Sequence, residues 1–172
     1  MFTETALRAS PRATPSTRPE RQSPADPRAE LQLFFKSYDA ACLDFDADAV
    51  AALYDLPCLV SGLHGHGSFS ARGELRAHFA KVFTAYRQQG LVSASLASLT
   101  INALSNEFAR AEVVWAFSNA RGSDVANLAS AYTLRRTTLP AGGRWRIVHA
   151  LTLDEAEKLA ATKRPMLSLA IR

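Results

Sequence analysis

A chain of 172 residues, 48% hydrophobic and 21% charged, is long enough to bury a real core and predicts one globular domain. The first 28 residues hold five arginines against three acids and so supply half of the formal net charge of +4; the remainder lacks the basic footprint of a nucleic-acid binder. Two cysteines make no disulfide framework, no apolar run approaches the ~18 residues that span a bilayer, and no secretory h-region opens the chain, which together predict a cytoplasmic protein without membrane or nucleic-acid partners.

Residues 1–25 are rich in Pro, Ser, Thr and Arg, with almost nothing apolar after Leu7. Such a segment cannot offset its ordering entropy and is expected to be a disordered tail. Residues 26–161 are expected to form the domain, and 162–172 a second, short tail. Asp26-Pro27 places a capping acceptor before a proline at the first helical position. Leu31, Phe34, Phe35, Tyr38, Cys42 and Phe45 then recur at helical spacing. Asp46 can cap a short second helix carrying Val50, Leu53 and Tyr54, which stops before Pro57. Cys58 to Ser61 reads as a short strand, and the glycine-rich stretch from Gly62 to Gly67 as a turn.

Ser70 is expected to open a third helix with Leu75, Phe79, Val82, Phe83 and Tyr86 on one face, and Gly90 stands where a helix-ending glycine belongs. Beyond it the period changes. Four stretches, 91–104, 107–119, 125–138 and 144–153, carry alternating or continuous apolar residues. Short turn-rich connectors at 105–106, 120–124 and 140–143 separate them, which predicts an antiparallel meander. Thr152-Leu-Asp-Glu155 resembles a capping box before a terminal helix. Helices first and a long sheet afterwards imply an α+β domain with its helices on one face of a curved antiparallel sheet.

Particular residues sharpen this reading. They are the aromatic run Phe34-Phe-Lys-Ser-Tyr38 followed by Asp46-Ala-Asp-Ala-Val-Ala-Ala-Leu-Tyr54, the third-helix stretch from Ser70 to Phe79, the strand from Phe108 to Phe117, and Gly143-Arg-Trp-Arg-Ile-Val-His149. In this order they resemble the NTF2-like superfamily of SnoaL-like and ketosteroid-isomerase-like cones, over roughly residues 29–155, closest to uncharacterised bacterial members. The resemblance implies a cone with a pocket inside and a homodimer formed through the convex face; with no Gly-rich phosphate loop, nucleophile elbow or H-E-x-x-H motif in the sequence, no cofactor is expected. The resemblance does not fix an activity, since these cones host metal-independent isomerases, dehydratases and hydrolases as well as ligand binders and assembly modules.

On the expected strands, alternation groups Val113, Trp115 and Phe117, then Leu128, Ser130, Tyr132 and Leu134, and on the last strand Trp145, Ile147, His149 and Leu151. With Phe34, Tyr38, Tyr54, Phe79 and Phe83 these sets would line an apolar pocket tipped by Tyr38, Ser130, Tyr132 and His149, suited to a small apolar ligand. The same residues would serve equally in a filled core, making the domain a non-catalytic homodimerisation or scaffold module. Tyr38 has the placement of the catalytic tyrosine of ketosteroid isomerases. The base of those enzymes would fall near Ser61 or Gly62 and their second donor near Ser130 or Ala131, where no acid stands, so a ketosteroid isomerase is not expected. Asp39, Asp44, Asp48 and Asp55 sit off the apolar stripes, Glu107 and Asp124 at turns, and Glu112 on the convex side, leaving no carboxylate pair aimed into the cavity for a paired-acid mechanism. His64 and His66 could join Cys58 on zinc only with a fourth ligand, and no second ligand pair exists, so no metal is expected. If their loop folds over the cone mouth, His64 or His66 could act as a general base, with Tyr38 and His149 as the other catalytic candidates.

Overall fold

The computed structural model describes residues 26–62, 65–137 and 143–162. The tails expected at 1–25 and beyond 162 lie outside the described residues, as do His64 and most of the 140–143 connector. Helix α1 (Pro27–Leu43) starts as its sequence dictates, the Asp26 carboxylate accepting the Arg28 N–H at 2.9 Å. It buries Leu31, Phe34, Phe35, Tyr38 and Cys42. Phe45 follows in the left-handed region at φ 51°, a conformation offset by packing: its ring lies nearly parallel to Phe83 at 4.9 Å. Helix α2 (Ala47–Ala52) is capped by Asp46, which accepts the N–H groups of Asp48 and Ala49 at 3.0 Å.

Tyr54 corrects the sequence reading. It opens strand β1 (Tyr54–Gly62) rather than closing α2, because the Leu53 carbonyl accepts the Ile147 N–H at 3.1 Å and sheet pairing claims the backbone before Pro57. The glycine-rich stretch is likewise more than a turn, since strand β2 (Gly65–Phe69) pairs antiparallel with β1. Helix α3 (Arg72–Gln88) has Ala71 at its N-cap with no side-chain bond, so Ser70 does not cap it. Gly90 ends it at φ 82°, its N–H on the Arg87 carbonyl. The meander follows as expected: β3 (Leu91–Ala103), β4 (Phe108–Asn119), β5 (Asp124–Thr137) and β6 (Arg144–Thr152), then helix α4 (Glu155–Thr162).

These strands form one six-stranded sheet in the order β2-β1-β6-β5-β4-β3. It is mixed rather than wholly antiparallel, because β6 lies parallel to β1. The long excursion through α3 and four strands returns the chain in its original direction, which a parallel pair requires. One face carries Ala94 opposite Phe117, Leu96 opposite Trp115, Val113 opposite Ser130 and Ala111 opposite Tyr132. The helices close this face, and Leu31, Phe35 and Leu75 are completely buried against it.

Strand β6 does not keep its expected phase. Leu134 pairs with Ile147 and Thr133 with His149, leaving Val148 as an extra residue. A bulge of one residue turns the rest of the strand over. Trp145 and Ile147 stay buried, but Ala150 and Thr152 take the inner face in place of His149. Among the described residues, no helix is long and apolar enough to cross a membrane.

Candidate functional site

Between helices and sheet lies a cavity of about 100 Å³. Its lining runs from fully enclosed Tyr38 and Tyr54 to exposed Gly65 and Leu151, so it reaches solvent beside the β1–β2 hairpin. Phe79 and Phe83 of α3, Phe45, and Phe117 of β4 form its aromatic walls.

The enclosed end is a cluster of phenols. The Tyr38 and Tyr54 hydroxyls share a hydrogen bond of 3.0 Å, and the Trp115 indole N–H donates to the Tyr132 hydroxyl at 2.9 Å. The Tyr38 ring meets Trp115 edge-on at 5.2 Å and Tyr132 at 5.6 Å. Burial pushes the phenols of Tyr38 and Tyr54 well above the usual value, and each neighbour's potential negative charge, Tyr132's first, adds to the effect. Tyr132 is pushed up to about 12, again chiefly by burial, while hydrogen bonds with Tyr38, Trp115 and Ser130 hold it lower. At neutral pH these hydroxyls are therefore protonated and able both to donate and to accept.

At the open end stands a carboxylate. Glu155, the first residue of α4, is only 4% exposed and lines the cavity. The Tyr86 hydroxyl donates to its Oε1 at 2.5 Å and the Thr152 hydroxyl to its Oε2 at 3.0 Å. Burial, and then the adjacent Glu155 charge, pushes the Tyr86 phenol upward. The Thr152 hydroxyl also lies 3.2 Å from the Ser61 carbonyl, tying α4's start to β1. Gly62 leaves the necessary room, since a Cβ there would come within 3.1 Å of Glu155 Oε2. No acid occupies positions 61 and 62, yet the fold delivers a carboxylate beside them from α4.

Of the residues singled out from sequence, Tyr38, Tyr54, Phe79, Phe83, Trp115, Phe117, Ser130 and Tyr132 line the cavity. Phe34 and Trp145 do not. Phe34 packs edge-on to Phe35 at 5.3 Å behind the phenols, and the Trp145 indole donates instead to Glu30 at 3.0 Å. His149 is turned away by the bulge, sharing the outer face with exposed Leu59, its ladder partner. His66 is exposed on β2 and His64 lies outside the described residues. Sequence reasoning missed Glu155, taken for a capping residue, and His78, which borders the cavity with its ring 4.9 Å from Phe69. It also misread Asp39, whose carboxylate accepts the Leu96 N–H at 2.7 Å and so fastens α1 to the β3 bulge. Among the described residues, no group of three or more His, Cys, Asp or Glu side chains could hold a metal ion.

One family matches over most of the chain: residues 28–155 fit the model described as "NTF2-like protein (DUF6841)". The chain belongs to this NTF2-like family. Solved NTF2-like and cystatin-like folds superpose on it. A protein of unknown function from Nostoc punctiforme is 12% identical with a TM-score of 0.58, covering 73% of this chain and 88% of its own. An NTF-2-like protein of unknown function from Shewanella oneidensis is 16% identical with a TM-score of 0.57, covering 74% and 98%. An NTF2-like protein from Novosphingobium aromaticivorans is 21% identical with a TM-score of 0.55, covering 80% and 89%. No curated protein matches the chain. At such identities the likeness concerns the NTF2-like fold alone, and the chemistry must be argued from the cavity itself.

Proposed function

We propose that this NTF2-like domain binds a small, predominantly apolar molecule inside the cone, with the hydroxyls of Tyr38, Tyr54 and Tyr132 orienting one polar atom of it. The observation that carries this reading is the cavity of about 100 Å³ with aromatic walls and protonated phenols at its enclosed end. Apolar cavities of about 150 Å³ stay dry and take up benzene, so the ligand here is a single-ring or smaller molecule. A neutral phenol donates well to a carbonyl or hydroxyl oxygen, and enclosure among aromatic rings strengthens that bond. Tyr38 is accordingly proposed as the main donor. His149, on the outer face, has no part in this reading.

Ligand binding raises the midpoint of thermal unfolding in proportion to affinity and concentration. Toluene, the simplest ring that matches the walls, should raise Tm in the wild-type protein. Ala150→Leu, which places extra carbons in the cavity, should remove the response. A wild-type Tm that does not move at saturating toluene would show that the reading is wrong.

A second reading, compatible with the first, is that two copies pair through the outer face of the sheet. Leu59, 49% exposed, stands there with half-buried Val114 and Ala131. Light scattering should give twice the mass of one chain, and Leu59→Arg should halve it. A monomeric wild type would contradict this pairing.

A further inference from the structure

A strand that ends a sheet presents unpaired N–H and C=O groups to any second strand, and charged side chains, proline and bulges are the usual safeguards. Here β2 ends one side of the sheet and is only five residues long, whereas β3 ends the other and runs for 13. From Leu91 to Ala103 there is no charged residue and no proline. Both bulges of β3, at Val92 and Ala97, fall in its first half. Beside the second, the Leu96 N–H is taken by Asp39 of α1 at 2.7 Å. From Ser98 to Ala103 the strand runs regularly, and among the described residues nothing blunts its outer edge.

Pairing with β4 fixes what this edge presents. The Leu104 N–H bonds the Phe108 carbonyl at 2.9 Å. By two-residue alternation Asn102 and Thr100 also bond β4, while Leu99, Ile101 and Ala103 turn their N–H and C=O groups outward. The exposed side chains of Thr100 and Asn102 stand on the outer face of the sheet, Thr100 opposite Glu112 and Asn102 opposite Arg110. Neither of those charges has an ion-pair partner among the described residues.

We propose that Ser98–Ala103 is a self-association edge, pairing antiparallel with the same segment of a second copy so that Ile101 meets Ile101 on a two-fold axis. This register engages all three outward residues in about six N–H···O bonds. On the inner face it sets Leu99 against Ala103, so apolar meets apolar. On the outer face Thr100 of one copy stands opposite Asn102 of the other, which brings the Glu112 of one into line with the Arg110 of the other. Sliding either copy by two residues would instead align Arg110 with Arg110 or Glu112 with Glu112. The charges lie three strand spacings apart, roughly 14 Å, so they select the register while the backbone bonds hold it. A strip about 20 Å long is small beside the ~1,600 Å² of a standard stable interface. The pairing is therefore weak, forms at high protein concentration, and is separate from any contact through the outer face.

Register-specific cross-linking tests it. Cys42 and Cys58 are buried, so mild oxidation of the folded protein joins only cysteines introduced at the surface. Thr100→Cys and Asn102→Cys are prepared separately, one of them isotope-labelled, each also carrying Leu59→Arg to remove the outer-face contact, and are mixed at high concentration. Opposite positions lie within disulfide reach and like positions beyond it, so by mass spectrometry the mixed disulfide should exceed either like disulfide roughly tenfold. The proportions of random collision, or no cross-linked chains, would overturn the pairing. Amide hydrogen exchange of the protein carrying Leu59→Arg alone is the second measurement. Leu99, Ile101 and Ala103 should gain protection as concentration rises. Amides exposed at every concentration mean an open edge, and amides protected equally at every concentration mean that a segment of the same chain covers it; either result overturns the proposal.

Discussion

The hydroxyls of Tyr38 and Tyr54 meet 3.0 Å apart at the enclosed end of the cavity, although one stands in the middle of α1 and the other opens β1. Each satisfies the other in a place without bulk water. Removing one oxygen leaves its partner short of a bond, which costs about 1–3 kcal/mol. Tyr38→Phe and Tyr54→Phe should each lower the stability measured by urea denaturation by that amount. The double variant should lose less than the sum, because the second substitution removes a group already stranded. Strict additivity would mean that the two hydroxyls do not pair.

Trp115 combines ring packing with a polar bond, edge-on to Tyr38 at 5.2 Å and donating to Tyr132 at 2.9 Å. Trp115→Ala should destabilise the fold by about 3–5 kcal/mol. Trp115→Phe should cost less, since it restores much of the packing and loses only the donor. A loss below about 1 kcal/mol for the alanine variant, again by urea denaturation, would place Trp115 outside the core.

All four tyrosines of the chain, Tyr38, Tyr54, Tyr86 and Tyr132, line the cavity, and burial raises every one above the ordinary value of 10.0. A folded-state pKa above the unfolded one means that the folded chain holds its phenolic protons more tightly. The stability this contributes is complete below about pH 10 and is lost as pH rises, for Tyr132 between 10 and about 12. Tyrosinate absorbance should therefore emerge together with the loss of native circular dichroism. Ionisation of several tyrosines near pH 10 with the fold intact would contradict their enclosure.

Gly62 and Gly73 should respond oppositely to alanine. At Gly62 the new Cβ would run into the hydroxyl of Thr152, a stiff β-branched neighbour held between the Ser61 carbonyl and the Glu155 carboxylate. Overpacking of this kind costs about 1–3 kcal/mol. At Gly73, in the first turn of α3, a Cβ would meet nothing within 4 Å, and alanine should stabilise by about 0.4–1 kcal/mol through the unfolded chain. Thermal unfolding of the two variants checks both signs.

Much of the domain is legible from local pattern. The 3.6-residue spacing from Leu31 to Cys42 specifies the buried face of α1, and the four meander strands begin and end within a residue or two of their expected limits. Two-residue alternation correctly puts Val113, Trp115 and Phe117 on one face with Leu128, Ser130 and Tyr132. Those signals are readable because each depends only on near neighbours in the chain. Tyr54 was placed on the wrong element and still lines the cavity, because an aromatic at that boundary is buried whether the backbone is helical or extended.

What local pattern alone determined is therefore the type of fold, the apolar faces of α1, α3, β4 and β5, and most of the aromatic walls of the cavity. The tertiary structure decided the polar groups at its open end. The bulge at Val148 is a property of β6 paired with β5, not of β6 itself, and that one extra residue sent His149 outward and brought Thr152 inward. Only then could α4 start where Glu155 meets Tyr86, a partner 69 residues away in sequence. Periodicity reports how a segment divides its faces between core and solvent; it has no term for the register between segments, and this carboxylate is positioned by register.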